Sequence, residues 1–294
     1  MFGGEADGNG DDNTIVGHNA GYAITTGADN VIMGSYAGDS LNTGGSNVLI
    51  GKGAGGLLTD NNNNIAIGAN ALDGCNGGEH YNIAIGTNAL GADIASSEFC
   101  IAIGHGALSL QDTDVKNTAI GGLAGDAIEG GGNNTLLGYG AGSSFVDAID
   151  NTAVGHVALH LATGSYNTAV GCFAGNAALS GASNVLVGRG AGNSLTDGPG
   201  NVLIGRQAGA AMTTGDYNVA IGYQAADAMA GDSDHNIAIG ASALGTEDLG
   251  SQNIAIGGNA LAVQNTHTSV NLAIGYSAGI AITSGTQNVL ICLL

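Results

Sequence analysis

The chain has 294 residues, of which 55 are Gly, one is Pro and none is Trp, and its 24 acidic and 4 basic side chains leave a net charge of −20. Gly without Pro and without a three-residue period excludes collagen, and 44% hydrophobic residues are too many for a disordered Gly-rich linker. The charge excludes nucleic acid and anionic membrane surfaces as partners, because both would repel the chain.

Residues 1–12 form an acidic, Gly-rich N-terminal segment without the apolar stretch of a secretion leader. From there on, residues 13–294 read as one repeat domain. Its phrase is Asn, three apolar residues, Gly, two free residues and Ala, first met as Asn13-Thr14-Ile15-Val16-Gly17-His18-Asn19-Ala20. Copies begin at residues 13, 30, 47, 64, 82, 100, 117, 134, 151, 167, 184, 201, 218, 236, 253, 271 and 288, so every spacing is 16, 17 or 18. So short and regular a period predicts an all-β, parallel β-solenoid (a β-roll or β-helix) of about 17 coils. At roughly 4.8 Å per coil the stack would be about 75–80 Å long. No apolar run reaches membrane-spanning length, so no membrane insertion is expected.

Within a coil, the three apolar residues form a short strand. The first is Thr, Val or Ile in sixteen of seventeen copies, Leu272 being the exception, which is a strong β preference. Side chains alternate across a strand, so the first and third point one way and the middle one the other. Both sets are apolar. One fills the coil, and the other would be a long exposed stripe on a single chain, which predicts self-association, most simply as a homotrimer closed around an axis. The Gly four places after Asn is expected at a corner that a Cβ would obstruct, and the Ala seven places after Asn at a tight inward position. The recurring Asn is expected to form a structural ladder from coil to coil.

Charge is segregated. None of the acidic residues lies between a repeat Asn and the residue after its Ala; outside the N-terminal segment they sit in the return half of the coil, as at Asp60, Glu79, Glu129 and Asp216. Three of the four basic residues share the column five places after Asn. From it we take His18, Lys52, His105, Tyr139, His156, Arg189, Arg206, Tyr223 and Tyr276 as candidate contact residues, with acidic return loops of a neighbouring chain as their expected partners. The last copy ends as Val289, Leu290, Ile291, Cys292, Leu293 and Leu294, a candidate edge for end-to-end stacking into a filament.

Catalytic and metal signals are sparse. The seven His residues do not cluster in sequence, Cys75, Cys100, Cys172 and Cys292 lack metal-ligand spacing, and no Ser/His/Asp or Cys/His arrangement stands out. Cys75 falls eleven places after Asn64, where other repeats carry residues such as Leu41, Leu58, Ile128 and Phe145, and reads as a small buried apolar residue. No cofactor is expected. The acidic loops Asp147–Asn151 and Asp232–Asp234 have oxygen ligands of the kind Ca2+ takes, but match neither an EF-hand loop nor the Ca2+-binding β-roll motif.

At the level of Asn64-Ile65-Ala66-Ile67-Gly68-Ala69-Asn70-Ala71 and Asn253-Ile254-Ala255-Ile256-Gly257-Gly258-Asn259-Ala260, the chain resembles the head domains of trimeric autotransporter adhesins. That resemblance covers residues 13–292 and implies a left-handed parallel β-roll, three chains side by side, and a cell-surface location. The returns Thr25-Thr26-Gly27 and Thr213-Thr214-Gly215 are also similar to repeats of phage and viral tail fibres, implying a virion location instead. The period is longer than in the usual adhesin head, and no heptad pattern of a stalk is present. Ile-Gly-x-x-Ala resembles one side of the hexapeptide repeat of left-handed β-helix acyltransferases, which carry it on all three sides. The expected role is therefore a non-enzymatic extracellular or virion fibre, an adhesin or tail-fibre rod, with a cell-surface receptor or glycan as its partner.

Overall fold

The computed structural model describes residues 12–74, 78–92, 98–112, 116–229, 231, 233–245, 250–263 and 270–292. The chain divides into two compact units, Met1–Ile149 and Asp150–Leu294. The first holds strands β1 (Thr14–Val16), β2 (Val31–Met33), β3 (Val48–Ile50), β4 (Ile65–Ile67), β5 (Ile83–Ile85), β6 (Ile101–Ile103), β7 (Thr118–Ile120) and β8 (Thr135–Leu137). The second holds β9 (Thr152–Val154), β10 (Thr168–Val170), β11 (Val185–Val187), β12 (Val202–Ile204), β13 (Val219–Ile221), β14 (Ile237–Ile239), β15 (Ile254–Ile256), β16 (Leu272–Ile274) and β17 (Val289–Ile291). Within each unit every strand pairs in parallel with the next, and each residue faces its equivalent one repeat later, as Val48 faces Ile65 and Leu203 faces Ala220. The all-β parallel solenoid is thus present with the predicted period. Among the described residues no helix is long and apolar enough to cross a membrane.

Strand alternation sorts the side chains as expected. The middle residue of β2–β16 is buried while its two neighbours remain half-buried or exposed. At the corner, Gly17 has φ +145° and an added Cβ would sit 2.3 Å from the Gly34 carbonyl oxygen; the same contact recurs from Gly34 to Gly51 and from Gly205 to Gly222. L side chains rarely adopt that conformation, and the stacked corner below leaves no room for one. The Ala of the phrase lies fully buried at Ala37, Ala107 and Ala191.

The Asn ladder is built as a shared acceptor. Asn201 Oδ1 accepts the backbone N–H of Asn218 at 2.9 Å and its Nδ2–H at 3.1 Å. The Asn201 amide donates in turn to Asn184 Oδ1 at 3.2 Å and to the Gly215 carbonyl at 2.8 Å. Each buried amide is thereby satisfied by the coils on either side, which removes the cost of burying it. At Cys100 the side-chain rung is missing, and a second residue fills the gap. Gln111 stands eleven places after Cys100, where the coils of Asn30, Asn47, Asn117 and Asn134 carry Leu41, Leu58, Ile128 and Phe145; its Oε1 accepts from Asn117 Nδ2 at 3.0 Å and its Nε2 lies 3.0 Å from Cys100 Sγ. The two departures from the phrase compensate one another. Cys75 lies outside the described residues.

Two kinds of coil alternate, and packing decides which. Where Gly stands eight places after Asn, a Cβ would meet a middle strand residue: Leu49 at 2.7 Å from Gly38, Leu136 at 2.7 Å from Gly125, Leu203 at 2.7 Å from Gly209. Leu occupies that place at 72, 90, 108, 159, 244 and 261, and in each case the middle residue is Ala both in its own coil and in the next. Wherever either middle residue is Ile or Leu, the place is Gly; Ala226, with Ala220 and Ala238, is the remaining case. In the Gly coils an apolar residue of the return, such as Leu41, Ile128 or Phe145, is fully buried and completes the core. In the Leu coils Leu72, Leu90, Leu108 and Leu159 are themselves fully buried. The return is then relieved of supplying a core side chain. Accordingly, every Gly coil spans 17 residues, and the 16- and 18-residue coils are all of the Leu or Ala226 kind.

Candidate interaction surfaces

The outward side of each coil carries three columns. The strand face holds the first and third strand residues. Met33 is 41% exposed, Leu137 46% and Ile256 37%, so the stripe that faces away from the core is apolar and in contact with water.

The second column follows the corner Gly. All nine candidate contact residues lie on it and are exposed. Some pair with rings of the next coil: His18 stacks on Tyr36 with centroids 5.4 Å apart, His156 meets Phe173 edge-on at 5.6 Å, and the Arg206 guanidinium lies 5.5 Å from the Tyr223 ring centroid. The Arg206 charge therefore has an aromatic face beside it within its own chain, a contact worth about 0.5–1 kcal/mol at an exposed site.

The third column precedes each Asn and lies outside the repeated phrase. Non-Gly residues take positive φ there, as at Ser46, Asn63, Tyr81 and Phe99, all between 60° and 62°. Aromatic residues gather there: Tyr81 and Phe99 stack at 5.2 Å with ring planes 3° apart, and Tyr217 and His235 lie 5.4 Å apart. Tabulating the residue before each Asn would have revealed this column, since Tyr81, Phe99, Tyr166, Tyr217 and His235 all fall in it. A shallow groove of 260 Å3, bordered by Gln252 and Val270 of this column and by Ile254 and Leu272 of the strand face, places the two side by side in the second unit.

At the end of the second unit, β17 pairs with β16. Its Val289 and Ile291 are 71% and 65% exposed, Cys292 is exposed, and Leu293 and Leu294 lie outside the described residues. Among the described residues no three His, Cys, Asp or Glu side chains gather as metal ligands. Asp232, of the second acidic loop, and His267 lie outside the described residues.

One acidic pair is close enough to matter. Asp39 and Asp73 flank Gly56, and an added Gly56 Cβ would meet their Oδ1 atoms at 3.5 Å and 2.6 Å. Partial burial, with the Asp39 charge adding to it, raises the Asp73 carboxyl above its ordinary 3.8, against a hydrogen bond from the Gly56 backbone that pulls the other way. A carboxyl raised on folding binds its proton more tightly in the folded state, so its ionisation opposes folding above the ordinary value. Asp73→Asn should therefore raise stability at neutral pH, by a few tenths of a kcal/mol once solvent screening is allowed for. Thermal melts of both proteins at pH 7 and pH 3 check this; the difference should vanish at the lower pH, where the carboxyl is protonated in both states.

Fold and surface together define a parallel β-solenoid repeat protein whose outward columns carry exposed side chains that vary from coil to coil. The chain matches no protein-family model, and no curated protein matches it.

Proposed function

We propose that this protein is a non-enzymatic fibrous protein, an adhesin or tail-fibre rod, that assembles as a homotrimer outside the cell or on a virion. The supporting observation is the strand face. Its Val, Ile, Thr and Leu side chains recur in register in every coil, so a second copy presents the same stripe and can cover it by symmetry. Outside residues 1–12 the acidic residues lie in the returns, which leaves that stripe without charge. The outward columns, which the repeat leaves variable, are where a cell-surface receptor or glycan would be recognised. End-to-end stacking into a filament is the second reading, favoured by the exposed Val289 and Ile291 of β17.

Light scattering on the eluting peak should report three times the 28.4 kDa chain mass. The double variant Ile221→Glu/Ile239→Glu, on the exposed strand face, should run as a monomer with an unchanged β-type circular dichroism spectrum. A wild-type chain that is monomeric at micromolar concentration removes the trimer. Arg189→Ala/Arg206→Ala should loosen the trimer if acidic returns of the neighbouring chain reach this column.

A further inference from the structure

We infer that the first unit carries a binding site for a neutral oligosaccharide, on a shelf where small corner residues give way to aromatic ones. Along the column before each Asn, the corners run Ala28-Asp29, Gly45-Ser46 and Asn62-Asn63, then His80-Tyr81 and Glu98-Phe99. All of these corner residues except Phe99 line an open depression of 580 Å3. That volume falls within the usual range for ligand sites, about 300–1,000 Å3.

The Tyr81 ring forms the wall. Phe99 of the next coil covers one of its faces in a parallel stack, and the Tyr81 side chain, half exposed, lines the shelf. The floor and rim are polar, with hydroxyls from Thr26, Thr43 and Ser46 and amides from Asn62 and Asn63. Asp29 and Glu98 add carboxylates at its two ends. One aromatic face surrounded by hydroxyl, amide and carboxylate groups suits a ligand with a small C–H face and many hydroxyls, which describes a pyranose ring.

The site is rigid before any ligand arrives. Asn62 Oδ1 accepts the Gly45 N–H at 2.8 Å, and His80 Nδ1 accepts the Asn62 N–H at 3.0 Å, which leaves the His80 ring proton on Nε2 as a donor. Preorganisation of this kind lowers the entropy lost on binding. A peptide strand is a poorer fit, because the corner backbone is already paired: Ser46 N–H donates to Ala28, Asn63 N–H to Gly45 and Tyr81 N–H to Asn62. The shelf has two carboxylates and no Lys or Arg, in a chain of net charge −20, so sulfated or sialylated glycans are disfavoured.

The site deepens the adhesive role proposed above and rests on it for its biological meaning, but its test does not depend on assembly. Saturation-transfer NMR on the full chain with maltohexaose, cellohexaose and a β-galactan hexamer at about 10 mM should show transfer to at least one of them. Tyr81→Ala should weaken that binding about tenfold, Tyr81→Phe should keep it within about threefold, and Tyr22→Ala, at an exposed ring that does not line the shelf, should leave it unchanged. Asp29→Asn and Glu98→Gln should each weaken it severalfold, with melting temperatures confirming the fold. No transfer from any neutral hexamer, equal binding by Tyr81→Ala, or preference for a heparin or sialic-acid oligomer overturns the site. A trimer that binds none of the sugars sinks this site and leaves the assembly standing; a monomer that binds one does the reverse.

Discussion

Gly121→Ala should destabilise the protein by about 3 kcal/mol or more, whereas the same change at the neighbouring Gly122 should cost nothing. Gly121 has φ +144°, and its added Cβ would lie 2.3 Å from the Gly138 carbonyl oxygen and 2.5 Å from the carbonyl carbon. Both atoms belong to the stacked backbone of the next coil, whose own N–H donates to Ile120 at 2.8 Å, so neither can withdraw without breaking a rung. Gly122 sits one residue on, and its Cβ would meet the Tyr139 ring at 3.5 Å, an ordinary contact. Ala there also narrows the unfolded ensemble, so that variant should be unchanged or up to about 1 kcal/mol more stable. Urea titrations of the two variants against wild type decide it. Comparable stability of both would mean that the corner backbone relaxes around a methyl group, and that the recurring Gly is not held there by sterics.

That contrast marks what the repeat made legible. A position repeated in every coil shows its constraint directly, so the corner Gly, the buried Ala, the Asn ladder and the two-sided strand could all be read from one phrase. Relations between coils could not. Gly or Leu eight places after Asn looks like free variation until the facing middle residues are known; only the distances from Gly38 to Leu49 and from Gly125 to Leu136 turn it into a rule. Applied along the chain, the rule exposes a longer order. The place reads Gly, Gly, Gly, Leu, Leu, Leu, Gly, Gly, Leu and then Gly, Gly, Gly, Ala, Leu, Leu, Gly, a nine-coil pattern begun twice. Gln111 was equally opaque, because its part shows only in its contacts with Cys100 and Asn117. On the surface, the contact residues after the corner Gly were found because three of them carry rare positive charges. Tyr81 and Phe99 were missed because the column before Asn stands outside the phrase that defined the repeat.

The packing rule makes its own prediction, and it is the sharper of the two because it requires rescue. At Gly209 the three closest atoms to an added Cβ all belong to Leu203, at 2.7, 3.0 and 3.4 Å, and the next middle residue is already Ala220. Leu203→Ala alone empties a fully buried Leu site and should cost about 2–5 kcal/mol. Gly209→Leu alone drives a side chain into Leu203 and should cost about 1–3 kcal/mol. Together they convert this coil to the kind found at Ala84 and Leu90, where Leu is accepted at φ +50° and is fully buried. The introduced leucine side chain then fills the space that Leu203 vacated, so the double variant should be more stable than Leu203→Ala, with a favourable coupling of at least about 1 kcal/mol. Denaturant titration of the four proteins in the cycle measures that term directly. Additive losses would show that the return residue Met212, fully buried in the same coil, already claims the space, and that a change of coil kind needs the return rebuilt as well.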